Sequence, residues 1–548
     1  MEMSSSYSLK QCDLLIIGGG GSGVLAAVEA SRHRDLRIIL ASKGPVGKSG
    51  LTPTANGGTA FHDSPEHTFR EMVQAGDFLN DQRLVWLLAQ KAGGAIETLQ
   101  GFGIRTTPIR PTSRCVLPDD LLPTCRRKVI RTPNVELMED VLITRLLSLG
   151  EGISGATGMD LRTGDFFVIQ AKAIIIATGG LVGELYPITS NNPFGISTDS
   201  SGTGHAMAYL AGAELLDLEM IQFVPLPGNR RCRNLRYFPE FWDGPYTNRK
   251  GEVIESQIDS YQGKSYNHLF VQKLCREMER GNGPIYVDRR GIPRTHSALK
   301  VKSWERRRKF IRNLGIDPFE NKVSILIGSH FCMGGIRVND RLETSIPGLF
   351  AAGEVMGGVH GGLRLPGYSF TQMIVFGFEA GKHAAQYALG LERSQKLPDW
   401  AIEEEKKRLY DYLHQKDGRL TLGALKGELQ QIMENHVFVF RERTGLEKAK
   451  SEICELRERA SRLAVSGFKR FNLEWARAIE FSLMLEMAEI ITESALMREE
   501  SRGFHFRRDF PKRNDKDWLK HTVIRRDSDG RPVTGTIPVE LLRLRPED

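Results

Sequence analysis

The feature that most constrains this chain is a glycine-rich turn between an apolar strand and a helix near its beginning. Residues 13–17 (DLLII) have the composition of a buried parallel strand, and residues 18–23 (GGGGSG) follow directly. Residues 24–33 have helical composition, and residues 37–42 (RIILAS) form the next predicted strand. A strand, a glycine turn, a helix and a second strand within about 30 residues are typical of the βαβ unit that binds a dinucleotide.

Each glycine of the turn has its own role in such a unit. Gly18 permits the tight turn, Gly20 lets the backbone approach a pyrophosphate, and Gly23 lets the helix pack closely on the strand. At the end of the second strand, dinucleotide-binding folds usually carry an Asp or Glu that binds the ribose hydroxyls. This chain has Ser42 and Lys43 there, which argues against an ordinary NAD site.

Length and cysteine usage indicate an intracellular multidomain protein. The 548 residues have room for about three or four domains. The seven cysteines are scattered and lack any CxxC pair, so we expect neither a disulfide framework nor a zinc or iron–sulfur site held by this chain. The opening MEMSSSYSLKQ lacks the apolar core of a signal peptide, and no apolar run of 18 residues occurs. We therefore expect a cytoplasmic protein without direct membrane insertion.

The charge balance favours a small anionic ligand over a nucleic acid. The net charge is +8, which would attract an anionic substrate or an acidic partner. The basic clusters at 126–131, 230–233 and 304–312 are short, and no long basic tract indicates nucleic acid binding. The arginines at 230–236 could meet an additional anionic group such as a phosphate, although a solvated loop is the simpler interpretation.

Further motifs follow in a fixed order along the chain. They are KSGLTPTANGGTAF (48–61), AIIIATGG (173–180), NNPFGISTDSSGTGHAMAYLAGAELLDLEMIQFVP (191–225), GSHFCMGGIRVND (328–340), LFAAGEVMGGVHGGLRLPGYSFTQMIVFG (349–377) and ESRGFHFRRDFP (500–511). Together with the glycine turn, these motifs resemble the fumarate reductase/succinate dehydrogenase flavoprotein family, which includes L-aspartate oxidase and the adenylylsulfate reductase flavoprotein. The resemblance covers nearly the whole chain.

The resemblance implies FAD as the cofactor. It assigns cofactor binding to Gly18, Gly20, Gly23, Ser42, Lys43, Gly57, Gly58, Ala177, Thr178, Gly179, Glu354 and Ser369. Within this set, Glu354 would bind a ribose and Ser369 would contact the edge of the isoalloxazine ring. Family members with covalent flavin carry a His six residues before the first glycine of the Gly-Gly pair, and Leu51 stands there in this chain. We therefore expect non-covalent FAD.

The resemblance also implies two substrate-binding residues. His330 stands where the family has its substrate-contacting His, and Arg364 stands where the family has the Arg that clamps a substrate carboxylate. Other positions depart from the dicarboxylate enzymes. Val224 replaces a His before Pro225, and Leu226 stands where a Thr is common, so the substrate site gains an apolar wall.

The proton donor falls in a segment that offers several candidates. An ungapped alignment puts Asn267 and His268 where the dicarboxylate enzymes carry their catalytic Arg and an Asp. Asn cannot donate a proton in that way, whereas His268 could. Nearby Lys264, Tyr266 and Arg276 are further candidates.

The expected architecture is an α/β fold with a split Rossmann-like FAD-binding domain. Residues 1–225 and 328–395 would form that domain, residues 226–327 an inserted α+β capping domain, and residues 396–548 a helical C-terminal domain. The active site would lie at the flavin, between the FAD-binding and capping domains.

Three functions remain open at this point. The first is a flavoprotein subunit that transfers hydride between flavin N5 and a carboxylate-bearing substrate. The second is flavin chemistry on a sulfur-containing or nitrogen-containing anion, as in the adenylylsulfate reductase branch. The third is a non-catalytic flavin electron-relay or assembly subunit. No second GxGxxG indicates an NADH site, so electrons would pass to an iron–sulfur partner subunit, with oxygen as the alternative.

Overall fold

A computed structural model describes residues 7–55, 57–110, 113–150, 152–190, 200–228, 244–255, 267–288, 290, 320–414, 420–527 and 529–547. The described strands are β1 (Ser8–Ile17), β2 (Ile38–Ala41), β3 (Gly58–Ala60), β4 (Thr106–Arg110), β5 (Ser113–Val116), β6 (Val135–Met138), β7 (Val141–Leu149), β8 (Gly152–Asp160), β9 (Phe166–Ile176), β10 (Leu215–Leu216), β11 (Ile221–Pro227), β12 (Tyr246–Thr247), β13 (Ile285–Val287), β14 (Val323–Cys332), β15 (Gly335–Ile336), β16 (Leu349–Ala351), β17 (Phe440–Arg441), β18 (Phe506–Arg507), β19 (Lys520–Arg526) and β20 (Pro532–Pro538).

Helices connect these strands and form most of the second half of the chain. The described α-helices are α1 (Gly21–Ala30), α2 (Pro65–Ala75), α3 (Gln82–Gly101), α4 (Pro118–Ile130), α5 (Val182–Leu185), α6 (Thr203–Leu210), α7 (His268–Glu279), α8 (Tyr368–Leu389), α9 (Asp399–His414), α10 (Leu422–His436), α11 (Arg443–Ala460), α12 (Leu473–Met497) and α13 (Asp515–Trp518). Short 3₁₀ helices lie at Thr52–Thr54 and Gly353–Val355.

A mixed sheet forms the centre of the first half. Its strand order is β6-β2-β1-β9-β8-β7, and β16 also pairs with β9. Strands β6, β2, β1, β9 and β16 are parallel, whereas β7 and β8 add antiparallel pairs at one side. The apolar runs of β1 and β9 are buried on both faces because helices cover a parallel sheet on both sides. Strand β16 pairs with β9, and helix α8 packs along α1, although both come from beyond residue 340. The split of the FAD-binding domain stays a prediction.

A second sheet lies in the inserted part of the chain. Its order is β11-β14-β13-β12, with antiparallel pairs throughout the described strands. Strands β11 and β14 both cross the expected domain limits, at 225/226 and 327/328. The limits themselves stay predictions. The arginines at 230–236, Lys264 and Tyr266 lie outside the described residues.

The C-terminal part is mainly helical, with one sheet that the sequence interpretation did not anticipate. Helices α9 to α12 pack on one another, and α12 also contacts α6. The hairpin of β19 and β20 extends a sheet of order β15-β10-β19-β20, which joins the end of the chain to Leu215 and Leu216. The predicted fold class is confirmed. Among the described helices, none is long and apolar enough to cross a bilayer.

Candidate active site

A deep cleft opens where β1 and β9 end and α1 begins. Its volume is about 1410 Å³, including the open mouth. Predicted site residues that line it are Gly18, Gly20, Ser42, Lys43, Ala177, Thr178, Gly179, Glu354, Ser369 and His330. Helix α1 starts at Gly21, so its N-terminal N–H groups face the part of the cleft beside the glycine turn. That is the arrangement in which a helix N-terminus binds a pyrophosphate.

The glycine turn has the close contacts that its sequence predicts. Gly18 has a φ of +116°, and a Cβ there would lie 2.3 Å from the carbonyl oxygen of Ala177. A Cβ on Gly23 would lie 1.8 Å from the carbonyl oxygen of Gly18, so Gly23 lets helix and strand touch but does not line the cleft. A side chain at Gly20, by contrast, would meet only the Thr52 hydroxyl, at 3.9 Å.

Polar atoms inside the cleft fit the proposed cofactor. The buried hydroxyls of Thr178 and Ser200 line the cleft and have no hydrogen-bond partner among the described residues. Buried hydroxyls are nearly always hydrogen-bonded, so these two match a polar ligand in the cleft. Leu51 also lines the cleft and begins the turn into Thr52–Thr54. His330 is the one histidine among the described lining residues.

The assignment of two further glycines to the cofactor site stays a prediction. Gly57 and Gly58 are not among the described residues that line the cleft. Gly57 has a φ of +74°, and a Cβ there would lie 2.2 Å from the carbonyl oxygen of Val116, which itself donates its N–H to Gly57. The close backbone approach at Gly57 is therefore to Val116, at the end of β5.

An irregularity in the pairing of β14 with β11 changes the direction of the His330 side chain. Gln222 is opposite Phe331, and the next residue of β11, Phe223, is opposite Ser329. His330 is consequently the inserted residue of a β-bulge, a feature that turns a side chain away from the regular alternation of a strand. The bulge brings the His330 ring to the wall of the cleft.

Arg364 lies beside His330 and is 3% exposed. Its Nε donates to Gln222 Oε1 at 2.9 Å, its Nη1 donates to Ser369 Oγ at 3.0 Å, and its Nη2 lies 2.6 Å from His330 Nε2. The guanidinium also stacks over the Phe331 ring at 5.0 Å. These described partners are uncharged when His330 is neutral, so they orient the guanidinium without adding a counter-charge.

The hydrogen bonds of His330 indicate which ring nitrogen carries the proton. Because a guanidinium only donates hydrogen bonds, His330 Nε2 accepts from Arg364. The ring proton is then on Nδ1, which lies 2.9 Å from Ser190 Oγ and donates to it. His330 is therefore a neutral imidazole in this arrangement.

The predicted donor region lies next to this cluster but outside the cleft lining. Asn267 caps α7 by accepting from the Phe270 N–H at 3.1 Å, so its side chain serves the helix. His268 is half-buried, 6.0 Å from the Phe504 ring, and Phe504 bonds to the main chain of Gly362. Burial lowers the pKa of His268, partly offset by the nearby Asp77 carboxylate.

Three further predicted positions lie outside the described lining of the cleft. Arg276 stacks over the rings of Phe440 and Phe506, at 5.7 and 5.6 Å. Val224 and Leu226 are buried in the cap sheet opposite Gly328 and Leu326. None of the three is among the described residues that line the cleft.

Several lining residues were not identified from the sequence. Val141, Leu142 and Ile143 of β7 form an apolar wall, and Glu480 of α12 reaches the cleft beside Lys43. The apolar run of β7 is visible in the sequence, but nothing local in α12 marks Glu480. No group of three or more His, Cys, Asp or Glu within the described ranges is arranged to hold a metal ion.

Comparison with known proteins agrees with this geometry. Residues 13–370 match the FAD binding domain family, and residues 426–548 match the family described as fumarate reductase flavoprotein C-term. The chain is 33% identical to one subunit of the fumarate reductase (CoM/CoB) of Methanothermobacter marburgensis, over 94% of this chain and 98% of that protein.

Solved structures share the fold. An Escherichia coli quinol fumarate reductase chain superposes with a TM-score of 0.86 at 27% identity, covering 98% of both chains. The adenylylsulfate reductase of Archaeoglobus fulgidus superposes with a TM-score of 0.81 over the full length of both chains, at 20% identity, which shows a common fold alone. With the FAD-binding and C-terminal families both matched, this chain belongs to the fumarate reductase/succinate dehydrogenase flavoprotein family and is an FAD-dependent oxidoreductase.

Proposed function

We propose that this protein is a flavoprotein subunit that transfers hydride between flavin N5 and a small carboxylate-bearing anion. The observation that carries the proposal is the cluster of Arg364, His330 and Gln222, which reaches the cleft through His330 and through Ser369 beside Arg364. FAD, when bound, supplies the hydride donor or acceptor. The cofactor residues that line the cleft would hold it, and Leu51 supports non-covalent attachment.

Arg364 would bind the substrate carboxylate. A guanidinium presents paired N–H donors that match the two oxygens of a carboxylate, and a water-poor environment strengthens that attraction. Gln222 and Ser369 hold the fork in one orientation before substrate arrives, which lowers the entropy lost on binding. The positive charge of Arg364 therefore favours an anionic substrate, and the fixed orientation of its guanidinium plane favours a planar anionic group.

His330 would provide a second, orienting contact. Its Nδ1–H bond to Ser190 fixes the ring and leaves the Nε2 edge beside Arg364. A carboxylate bound to Arg364 would thus lie against an imidazole of defined tautomer. His268 is our proposed proton donor, because it lies at the junction of cap helix and C-terminal region beside the loop that carries Arg364.

The electron partner is proposed to be an iron–sulfur subunit. The Methanothermobacter relative is named as one subunit of a fumarate reductase, and the E. coli neighbour as a quinol fumarate reductase. Their names support fumarate as the first substrate to test and a multisubunit context. We place the protein in the cytoplasm, associated with a membrane only through such a partner.

The test is anaerobic reoxidation of the reduced flavin. The bound FAD is reduced photochemically, fumarate is added, and the return of the visible absorption is followed in the wild type and in Arg364→Lys. Fast reoxidation that slows at least about 100-fold in the variant would support the proposal.

The other outcomes separate the alternatives. Equal rates in the two proteins would contradict the role of Arg364. Reoxidation by sulfur-containing or nitrogen-containing anions but not by fumarate would favour the adenylylsulfate-reductase-like alternative. Reoxidation by an artificial electron acceptor alone would favour a non-catalytic electron-relay protein.

A further inference from the structure

The adenosine half of the cofactor site differs from an ordinary dinucleotide-binding fold in one respect. Strand β2 ends at Ala41, and Ser42 follows where an acidic residue usually binds the ribose hydroxyls. Ser42 is 5% exposed, and its N–H and carbonyl are bonded to Met138 and Val141. The end of β2 therefore presents no carboxylate to the cleft.

A carboxylate reaches the same place from the opposite end of the chain. Glu480 lies in α12, is 7% exposed, and lines the cleft together with Ser42 and Lys43. One of its oxygens, Oε1, accepts from Lys43 Nζ and from Ser201 Oγ, the latter at 3.1 Å. Two donors from two different segments thus fix the position of this side chain.

The second oxygen of Glu480 has a different environment. Oε2 accepts no hydrogen bond within the described residues, although the side chain lies on the cleft wall. A buried carboxylate is stabilised when both oxygens are hydrogen-bonded, so this oxygen is suited to a donor on a ligand. The apolar wall of Val141, Leu142 and Ile143 lines the same cleft and fits a flat base.

We propose that Glu480 replaces the missing acidic residue of β2 and accepts a hydrogen bond from the adenosine half of FAD through Oε2. Lys43 and Ser201 act as positioning residues for it. Because α12 supplies the contact, tight FAD binding requires the C-terminal helices to be docked on the FAD-binding domain. This inference rests on FAD binding, which family membership establishes, and not on the reaction proposed above.

The test compares two flavins that differ in the proposed contact. Apoprotein of the full chain is titrated with FAD and with FMN, which lacks the adenosine half, and binding is followed by flavin fluorescence. Glu480→Gln should weaken FAD binding about tenfold and leave FMN binding unchanged, since one charged hydrogen bond is lost. Glu493→Gln is the matched control, because Glu493 lies in the same helix and pairs with Lys450 at 2.7 Å away from the cleft.

Two results would overturn the inference. If Glu480→Gln bound FAD as tightly as the wild type, the proposed contact between Oε2 and the adenosine half would not exist. If the variant lost affinity for FAD and FMN equally, Glu480 would only support the fold. Should Glu480→Gln fail to fold, Glu480→Asp keeps the charge but is shorter. In that variant AMP should no longer raise the unfolding temperature of the apoprotein, as it should in the wild type, and a retained shift would contradict the proposal.

Discussion

Gln222 and Arg364 hold each other by two hydrogen bonds of opposite direction. Arg364 Nε donates to Gln222 Oε1 at 2.9 Å, and Gln222 Nε2 donates to the main-chain oxygen of Arg364 at 3.0 Å. Gln222 is fully buried on β11, one position from the bulge that presents His330. Strand β11 thus fixes both the side chain and the backbone of Arg364, which lies 142 positions later in the chain.

Replacing Gln222 with Leu should therefore disturb Arg364 without removing it. We expect kcat/KM to fall about 10- to 100-fold, mainly through KM, because the guanidinium loses the partner that orients it. Steady-state kinetics with the substrate found by reoxidation measure the effect, and the flavin spectrum should be unchanged. Gln272→Leu is the control, since Gln272 is also buried but contacts Arg276. An equal loss of kcat/KM in both variants would contradict the prediction.

Arg364 itself should not tolerate replacement by Lys. Lysine keeps the charge but lacks the fork that can meet Gln222, Ser369 and a carboxylate together. We expect kcat/KM to fall about 10²- to 10³-fold, with FAD content unchanged. Arg276→Lys provides the comparison, because Arg276 stacks on aromatic rings outside the cleft lining. Activity retained in Arg364→Lys would show that charge alone suffices.

The identity of residue 51 indicates that FAD is bound non-covalently. The side chain lies on the cleft wall at the position where covalent family members carry a His, and Leu offers no nucleophilic nitrogen. Acid precipitation should therefore release all the FAD into the supernatant. The flavin absorption of supernatant and pellet measures this directly, and flavin that remains with the denatured protein would rule out non-covalent binding.

Features set by local sequence were predictable, and those set by distant pairing were not. The turn at Gly18 to Gly23 is recognisable from neighbouring residues, because the contact of Gly23 with Gly18 arises within one βαβ unit, whereas the contact of Gly18 with Ala177 does not. The bulge at His330 depends on the register of β14 against β11, more than 100 residues earlier in the chain. A single sequence contains no signal for that register.

Glu480 and Gly57 illustrate the same limit in two ways. Glu480 reaches Lys43 across 437 positions of sequence, and most of its helix is buried, with nothing local that distinguishes this carboxylate. The motif predicts that Gly57 lies close to the flavin, whereas the described contact that demands glycine is with Val116. A motif therefore identifies a constrained position before it identifies the partner that imposes the constraint.

The buried ion cluster around Arg498 should dominate the stability of the C-terminal junction. Arg498 is fully buried and donates to Asp217, Glu219 and Glu500 at 3.2, 2.6 and 3.0 Å. Arg498→Met would leave three buried acidic groups without a common cation, so we expect a loss of about 3–5 kcal/mol in unfolding free energy.

The control for this variant is an exposed ion pair on the same bundle. Lys407 of α9 is 80% exposed and pairs with Asp411 at 3.3 Å, so Lys407→Met should cost less than about 1 kcal/mol. Urea unfolding followed by circular dichroism compares the two variants with the wild type. Similar midpoints for Arg498→Met and the wild type would show that the cluster contributes little.

Acid sensitivity should depend in part on His205. Both ring nitrogens of this fully buried side chain lack a described partner, and burial lowers its pKa to about 3 from an ordinary 6.5. Between pH 6.5 and 3 the unfolded chain binds a proton that the folded chain excludes, so stability falls as the pH drops through this window and is fully present above it. The slope for one such group reaches about 1.4 kcal/mol per pH unit. His205→Met should therefore make the urea midpoint fall less steeply between about pH 6.5 and 4.5. His67→Met is the control, because His67 is exposed, and it should leave this decline unchanged. An unchanged decline in His205→Met would refute the assignment.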